Sequence, residues 1–226
     1  MDGINKYGSI SMNHELINDD CMNVMARYPD KHFDLAIVDP PYRDENQPTK
    51  DMRDRGQMET IQGRPKKEYW HELFRVSKNQ IVWGANNFQL PQFKGFIVWD
   101  KVIPFKFTMS MAEIAAISEG LGTISKICKL RVAGAENKIH PTQKPVALYR
   151  WILDRYAKPG DLILDTHAGS FSSAVACKEK GFSGVFVELD KDYFDDGKKR
   201  VDKTSRQYEI METTKAVEQE TIELFN

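Results

Sequence analysis

The sequence predicts a single α/β domain built on a mostly parallel sheet, and three observations carry that expectation. The 226 residues suffice for one sizeable core and are short for two. Strand-like and helix-like segments alternate along most of the chain, as in α/β proteins. One strand-like run, FDLAIVD at 33–39, is apolar apart from its acids, as suits a strand buried on both faces of a parallel sheet.

In chain order, HELIN at 14–18 reads as a short strand. A helix with Met22, Met25 and Ala26 at helical spacing follows, and Tyr28-Pro29-Asp30 breaks it before FDLAIVD. Residues 43–64 are rich in charge, glycine and proline and read as a long loop, a kind of segment that usually serves function. KKEYWHELFRVS, 66–77, spaces Tyr69, Trp70, Leu73, Phe74 and Val76 as a helix does and leads into the strand QIVWG. GFIVWDK, EIAAIS and GTISKICKLRVAG are read as further strands. The last third is the most regular: helix KPVALYRWILDRYA, a Pro159-Gly160 turn, strand DLILD, a Gly/Ser turn, helix SSAVACKEKG, strand SGVFVELD and a helix from about Asp192. That is a right-handed β-α-β order. A weakly amphipathic acidic tail occupies 201–226. The expectation is one domain over 1–226, without repeats.

The composition, 41% hydrophobic and 29% charged, is that of an ordinary globular protein, and no apolar run nears the roughly 20 residues that span a bilayer. The N-terminus has neither the basic start nor the apolar stretch of a secretory signal, which makes cytoplasmic location the expectation. Cys21, Cys128 and Cys177 are odd in number and widely spaced, which argues against a disulfide framework and a zinc site. No metal is expected. The net charge of -1 leaves any nucleic-acid contact to local patches.

Two stretches carry chemistry. In LILDTHAGSFSSAVA, 162–176, a buried strand ends on Asp165, a small-residue turn follows and a helix starts near Ser172. Backbone N–H groups at such a turn are open to a polar ligand. Glu188, at the end of the next strand, is placed to accept hydrogen bonds from ribose hydroxyls. The pattern also describes nicotinamide and flavin binders. However, Ser172 stands where a pyrophosphate binder has a glycine, and the turn is rich in hydroxyls, so a cofactor without phosphates is preferred.

The second stretch is Asp39-Pro40-Pro41-Tyr42. Each proline fixes its own φ and pushes its predecessor toward extended geometry, so the segment leaves its strand as a rigid spur. It presents the Asp39 carboxylate and the Pro40 carbonyl as acceptors beside the flat face of Tyr42. Two acceptors beside an aromatic ring suit a planar ring with an exocyclic amine, and stacking on such a ring contributes roughly 1–3 kcal/mol. A nucleobase turned out of its helix fits that description.

With DPPY at 39–42, HPTQKP at 140–145 and DTHAGSFSSAVA followed by GVFVELDKDYF, the chain resembles the S-adenosylmethionine-dependent DNA adenine-N6 methyltransferases. The catalytic motif precedes the cofactor motif, as in that family's beta class, and the likeness runs from about Glu15 to Arg200. The resemblance implies a Rossmann-like, mostly parallel seven-stranded sheet with helices on both faces. It implies that Asp39, Pro40, Pro41 and Tyr42 are catalytic, with Asp39, Pro40 and Tyr42 holding the adenine, and that S-adenosylmethionine is the cofactor. Asp165, His167, Ala168, Gly169, Ser170 and Ser172 would line the cofactor's methionine side and Glu188 its ribose. Asp20 and Cys21 would lie near its adenine, and Thr142, Gln143 and Lys144 would close the pocket. His140 is expected to brace its loop. The chain departs from the family pattern at Phe171, where glycine is usual, and at Thr166 and His167, where proline and phenylalanine are usual. Phe171 either crowds the cofactor or turns away and packs.

DNA is the expected partner. Residues 43–144 carry more basic than acidic side chains, with Lys50, Arg53, Arg55, Arg64, Lys66 and Lys67 just beyond Tyr42, suited to phosphate contacts. Target recognition is expected from insertions at 43–66 and 101–138. Their small size implies a short recognition sequence, weak selectivity, or a homodimer that doubles the reading surface. Cytosine-N4 methylation, which serine at position 39 would favour, an RNA substrate, and a nucleic-acid binder with a degenerate cofactor pocket are the alternative readings. A restriction-modification setting is a further expectation of the resemblance.

Overall fold

The computed structural model describes residues 13–42, 63–104, 110–131, 139–140 and 142–204. These form an eight-stranded sheet: β1 (His14–Asn18), β2 (Phe33–Val38), β3 (Ser77–Trp83), β4 (Gly95–Asp100), β5 (Ala112–Ile117), β6 (Lys126–Lys129), β7 (Leu162–Asp165) and β8 (Ser183–Glu188). The strands lie in the order β1-β8-β7-β2-β3-β5-β4-β6. Every adjacent pair is parallel except β3 with β5 and β5 with β4, so β5 alone is reversed. The resemblance implies seven strands, and β6 is the eighth. It lies within GTISKICKLRVAG, one of the eight strand-like segments read from the residues, and its four residues KICK pair with β4 as an added edge.

The alternation of side chains along β2 explains the layers. Leu35 and Ile37 enter one core with Trp83, Trp99, Ile163 and Phe186. Ala36 and Val38 enter the other with Val82, Leu164 and Val185. Over the first face lie α3 (Val146–Tyr156), α4 (Ser172–Lys180) and the last helix, α5 (191–204). Over the second lie α1 (Cys21–Met25) and α2 (Lys67–Val76). Helix α2 passes into β3 without a loop; Ser77 Oγ donates to the Leu73 carbonyl at 2.5 Å, and Lys31 Nζ reaches the carbonyls of Phe74 and Ser77 at 2.6 and 3.1 Å.

Strand order places the site. From β2 the chain crosses through α2 to β3 on one side, and from β7 through α4 to β8 on the other. The carboxyl ends of β2 and β7 therefore flank a topological switch point, where open α/β sheets bind ligands. Asp39 follows β2 directly, and Asp165 ends β7.

Two expectations about regions meet the structure here. Of 101–138, residues 112–117 and 126–129 are strands of the sheet, which confines any insertion to the segments around them. Of 43–66, residues 43–62 lie outside the described residues, and with them Lys50, Arg53 and Arg55. The tail beyond 204 also lies outside them, whereas 201–204 belong to α5.

Candidate active site

Asp39 is held from two sides. Tyr42 donates its hydroxyl to Asp39 Oδ1 at 2.6 Å, and the Lys144 ammonium contacts Oδ2 directly. The two prolines keep the spur extended, Pro40 is buried, and the Tyr42 ring folds back over Gly84. That glycine has φ 66, and a Cβ on it would stand 2.1 Å from Tyr42 Cε1, so the ring needs a residue without one. Phe88 meets the same ring edge-on, with centroids 5.9 Å apart. Burial, reinforced by the Asp39 charge, pushes the Tyr42 phenol far above its usual range and keeps it a donor. Arg64 donates to the Tyr42 carbonyl at 2.9 Å, while Lys66 and Lys67 are exposed at the start of α2.

Lys144 belongs to this half of the site. It is 5% exposed and pairs with Asp39 and, at 3.1 Å, with Glu113 Oε2; Glu113 in turn pairs with Lys101 at 2.5 Å. Glu113 was not among the residues picked from the sequence. The available signal was a lone acid in the otherwise apolar run AEIAAI. The other pocket-closing residues brace their own loop: Gln143 Oε1 accepts from Ile139 N at 3.1 Å, and Thr142 Oγ1 lies 3.1 Å from His140 Nδ1. The His140 ring packs on Tyr193 with centroids 4.4 Å apart, and burial lowers its pKa to about 4, so it is a neutral brace.

Across the switch point the acids have neutral partners. Asp165 accepts from Ser173 Oγ at 2.5 Å and from His167 N at 3.0 Å. Burial raises its pKa to about 7 against the help of those donors. Glu188, also raised by burial, accepts from Gly169 N at 2.7 Å and Asp190 N at 2.9 Å, which turns it toward the 166–171 turn without exhausting its acceptor directions. Asn18 ties the end of β1 to the carbonyls of Glu188 and Leu189, both at 2.9 Å. Asp20 then caps α1 by accepting from Met22 N at 2.7 Å. Cys21 is buried at the first position of α1, and burial pushes its thiol up to about 12, so it is a neutral thiol.

Around the turn, Ala168 N donates to the Val187 carbonyl at 2.8 Å, fixing the turn to β8. Ser170 and Ser172 are drawn to the rear instead: Arg200 Nη1 reaches the Ser170 carbonyl at 2.9 Å and Ser172 Oγ at 2.8 Å. Thr166 Oγ1 joins the Tyr69 hydroxyl at 2.7 Å to His167 Nδ1 at 2.9 Å, and burial lowers the His167 pKa to about 4.

Phe171 turns away and packs. It holds φ 57, the left-handed region where glycine is at ease and other residues are strained by about 1–2 kcal/mol. Its ring is fully buried, edge-on to Phe194 and pressed onto Gly197 of α5, where a Cβ would stand 2.1 Å from Phe171 Cδ2. The ring thus fills the core behind the turn instead of the crevice before it.

Known proteins resemble this chain in sequence and fold. The profile of a family described as DNA methylase, with N6 and N4 methyltransferases in its name, matches residues 98–199. The candidate methylase YubD of Escherichia coli (strain K12) is 28% identical over 209 residues, 82% of this chain and 88% of its own length. The DNA adenine methyltransferase YhdJ of the same strain is 32% identical over 100 residues, 44% of this chain and 34% of its own. Among solved structures, M1.HpyAVI in complex with SAM superposes with a TM-score of 0.58 at 19% identity, covering 83% of this chain and 98% of that one. The cytosine-N4-specific PvuII DNA methyltransferase gives 0.60 at 11% identity, covering 87% and 92%.

Proposed function

We propose that this chain is a DNA methylase that transfers a methyl group from S-adenosylmethionine to the N6 amine of adenine in DNA, a reading supported by its likeness to the methylase family and to YubD and YhdJ. The observation that carries the reading is the Asp39 carboxylate, mounted on a proline spur at the switch point, across from the buried acid Asp165.

The crevice suits the cofactor. Asp165 and Glu188 are acids whose proton affinity burial has raised, and they favour a ligand with a cationic end and hydroxyls. Phe171 lies behind the turn and does not obstruct it. When bound, S-adenosylmethionine supplies a methyl group on a sulfonium leaving group. The protein's part is placement and electrostatics. Asp165 faces the methionine end, Glu188 the ribose, and Asp20 and Cys21 the adenine end. Opposite, the Tyr42 hydroxyl marks the direction from which Asp39 accepts a hydrogen, and the target amine takes that place. The Pro40 carbonyl is the second acceptor, and the displaced Tyr42 ring offers its face to the base.

Fold likeness does not choose the base, since the cytosine-N4-specific PvuII enzyme superposes as well as M1.HpyAVI does. Asp39 chooses it: the cytosine-N4 pattern favours serine there. Arg64, Lys66 and Lys67 are the proposed phosphate contacts, Lys50, Arg53 and Arg55 remain candidates from the sequence alone, and a homodimer acting in the cytoplasm completes the reading. Among the described residues no helix is long and apolar enough to cross a membrane, and no cluster of three metal-ligating side chains occurs.

The test is transfer of labelled methyl to DNAs of varied sequence, followed by nucleoside analysis, with Asp39→Ala alongside. N6-methyladenine lost on substitution supports the assignment; N4-methylcytosine, or label indifferent to the substitution, refutes it. Sedimentation of the protein with and without DNA tests the dimer.

A further inference from the structure

A chain of alternating charges runs behind the proposed base site: Asp39, Lys144, Glu113, Lys101. Its members come from the end of β2, the segment before α3, β5, and the residue after β4. Glu113 can reach this edge because β5 runs against its neighbours, so its second residue lies level with the carboxyl ends of the parallel strands. Lys144 is the joint. Burial works against its charge, but Asp39 and Glu113 together outweigh burial and hold the ammonium above its ordinary range. The Trp83 ring, with its centroid 5.4 Å from Nζ, adds an aromatic face to the same cation.

Stability does not account for such an arrangement. Replacing a buried ion pair with apolar side chains of similar volume is often neutral or stabilising. What the pair does provide is a carboxylate whose orientation and counter-charge are in place before a ligand arrives. On the reading that Asp39 receives the target amine, we infer that Lys144, braced by Glu113, is a positioning residue that keeps Asp39 aimed and supplies its counter-charge. It acts through Asp39 and not through the cofactor. Lys144 is the counter-charge for one acid and is itself balanced by a second, so removing it leaves Asp39 and Glu113 facing each other without their shared cation.

That geometry sets the test: methyl-transfer kinetics and calorimetry with S-adenosylmethionine on Lys144→Met, Glu113→Gln, the double variant and Asp39→Ala, with thermal melts of each. Lys144→Met is expected to lower kcat on the order of 100-fold, as loss of one preorganised electrostatic partner does, with cofactor affinity within about 3-fold of the parent. Adding Glu113→Gln to Lys144→Met is expected to recover roughly 10-fold, because it removes the acid left facing Asp39; coupling of this sign between neighbours is what a double-mutant cycle detects. A purely structural lysine would leave the double variant no better than the single one, and that result overturns the inference. So does a weakened cofactor affinity with unchanged kcat, which returns Lys144 to the cofactor pocket. If Lys144→Met does not fold, the neutral pair Lys144→Gln with Glu113→Gln, compared with Lys144→Gln, makes the same comparison. An active Asp39→Ala variant would defeat the reading of Asp39 itself, and that control keeps the two failures apart.

Discussion

Asp39 and Asp165 stand at the ends of neighbouring strands, and the protein treats their charges in opposite ways. Asp39 is given a buried cation, Lys144. Asp165 is given a hydroxyl and a backbone N–H, and among the described residues no basic side chain pairs with it. The difference follows from what each would meet. A neutral amine brings no counter-charge to a carboxylate, so the protein supplies one. A sulfonium cofactor with an ammonium brings its own, so a cation built into that half would compete with it. One side of the switch point is electrostatically complete before binding, and the other is completed by the ligand.

The largest expected effects separate the two halves. Asp39→Ala should lower kcat by about 1000-fold or more while cofactor affinity stays within about 3-fold, since it removes an acceptor realised at the reacting amine. Asp165→Ala should do the reverse first, weakening cofactor binding by about 2–3 kcal/mol, the usual scale for losing a buried charged partner. Calorimetry and single-turnover kinetics on both variants read the split. If both variants lose affinity alike, the division of labour is wrong.

Protons provide a sharper version of the contrast. The Asp165 carboxyl is raised from 3.8 to about 7 by burial. Between those values the folded protein holds a proton that the unfolded chain has lost. The group therefore lowers stability progressively as the pH rises from about 3.8 to about 7, and the penalty, complete above 7, fades as the pH falls back through that window. A cationic ligand favours the ionised form. Binding of S-adenosylmethionine near pH 6.5 should release a substantial fraction of one proton, and affinity should weaken as the pH falls below 7. Calorimetry in two buffers of different ionisation enthalpy measures the release; none at pH 6.5 would separate Asp165 from the cationic end of the cofactor.

Much of this was legible in the sequence because it is local. The apolar run of β2, the helix spacings of α2 and α3 and the proline spur are properties of adjacent residues, and each element lies where its pattern put it. The unread parts depend on pairs distant in the chain. Lys144 reads as part of a cofactor-closing motif, and only the fold shows that it meets Asp39, 105 positions away. Sequence likewise left Phe171 between crowding the cofactor and packing, because the answer lies in Gly197, the residue of α5 that leaves room for its ring. The count of seven strands, which the resemblance implied, falls one short of the eight strand-like segments that the residues themselves show, β6 among them.

The pairing of Phe171 with Gly197 predicts a smaller effect, on stability and not on chemistry. Gly197→Ala places a methyl group on a fully buried ring in a packed core, an overpacking that typically costs 1–3 kcal/mol. Denaturant melts should show that loss. Cofactor affinity should change by less than about 3-fold, since the ring lies behind the turn; a larger drop would mean that Phe171 also shapes the crevice.

The smallest expected effect tests how the amine enters. The Tyr42 hydroxyl occupies Asp39 Oδ1, and its ring rests on Gly84. If the hydroxyl only holds the place of the amine, Tyr42→Phe removes a competitor and keeps the stacking face. DNA should then bind equally well or up to about 3-fold more tightly, with kcat nearly unchanged, because the hydroxyl's hydrogen bond to the carboxylate is exchanged for the amine's and the difference between the two is small. Tyr42→Ala removes the face as well and should cost roughly 1–3 kcal/mol in DNA affinity or kcat/KM, the value of one base stacked on an aromatic ring. Equal losses in the two variants would mean that the hydroxyl takes part in catalysis, and Asp39 would then act with Tyr42 as a unit on the substrate side of the switch point.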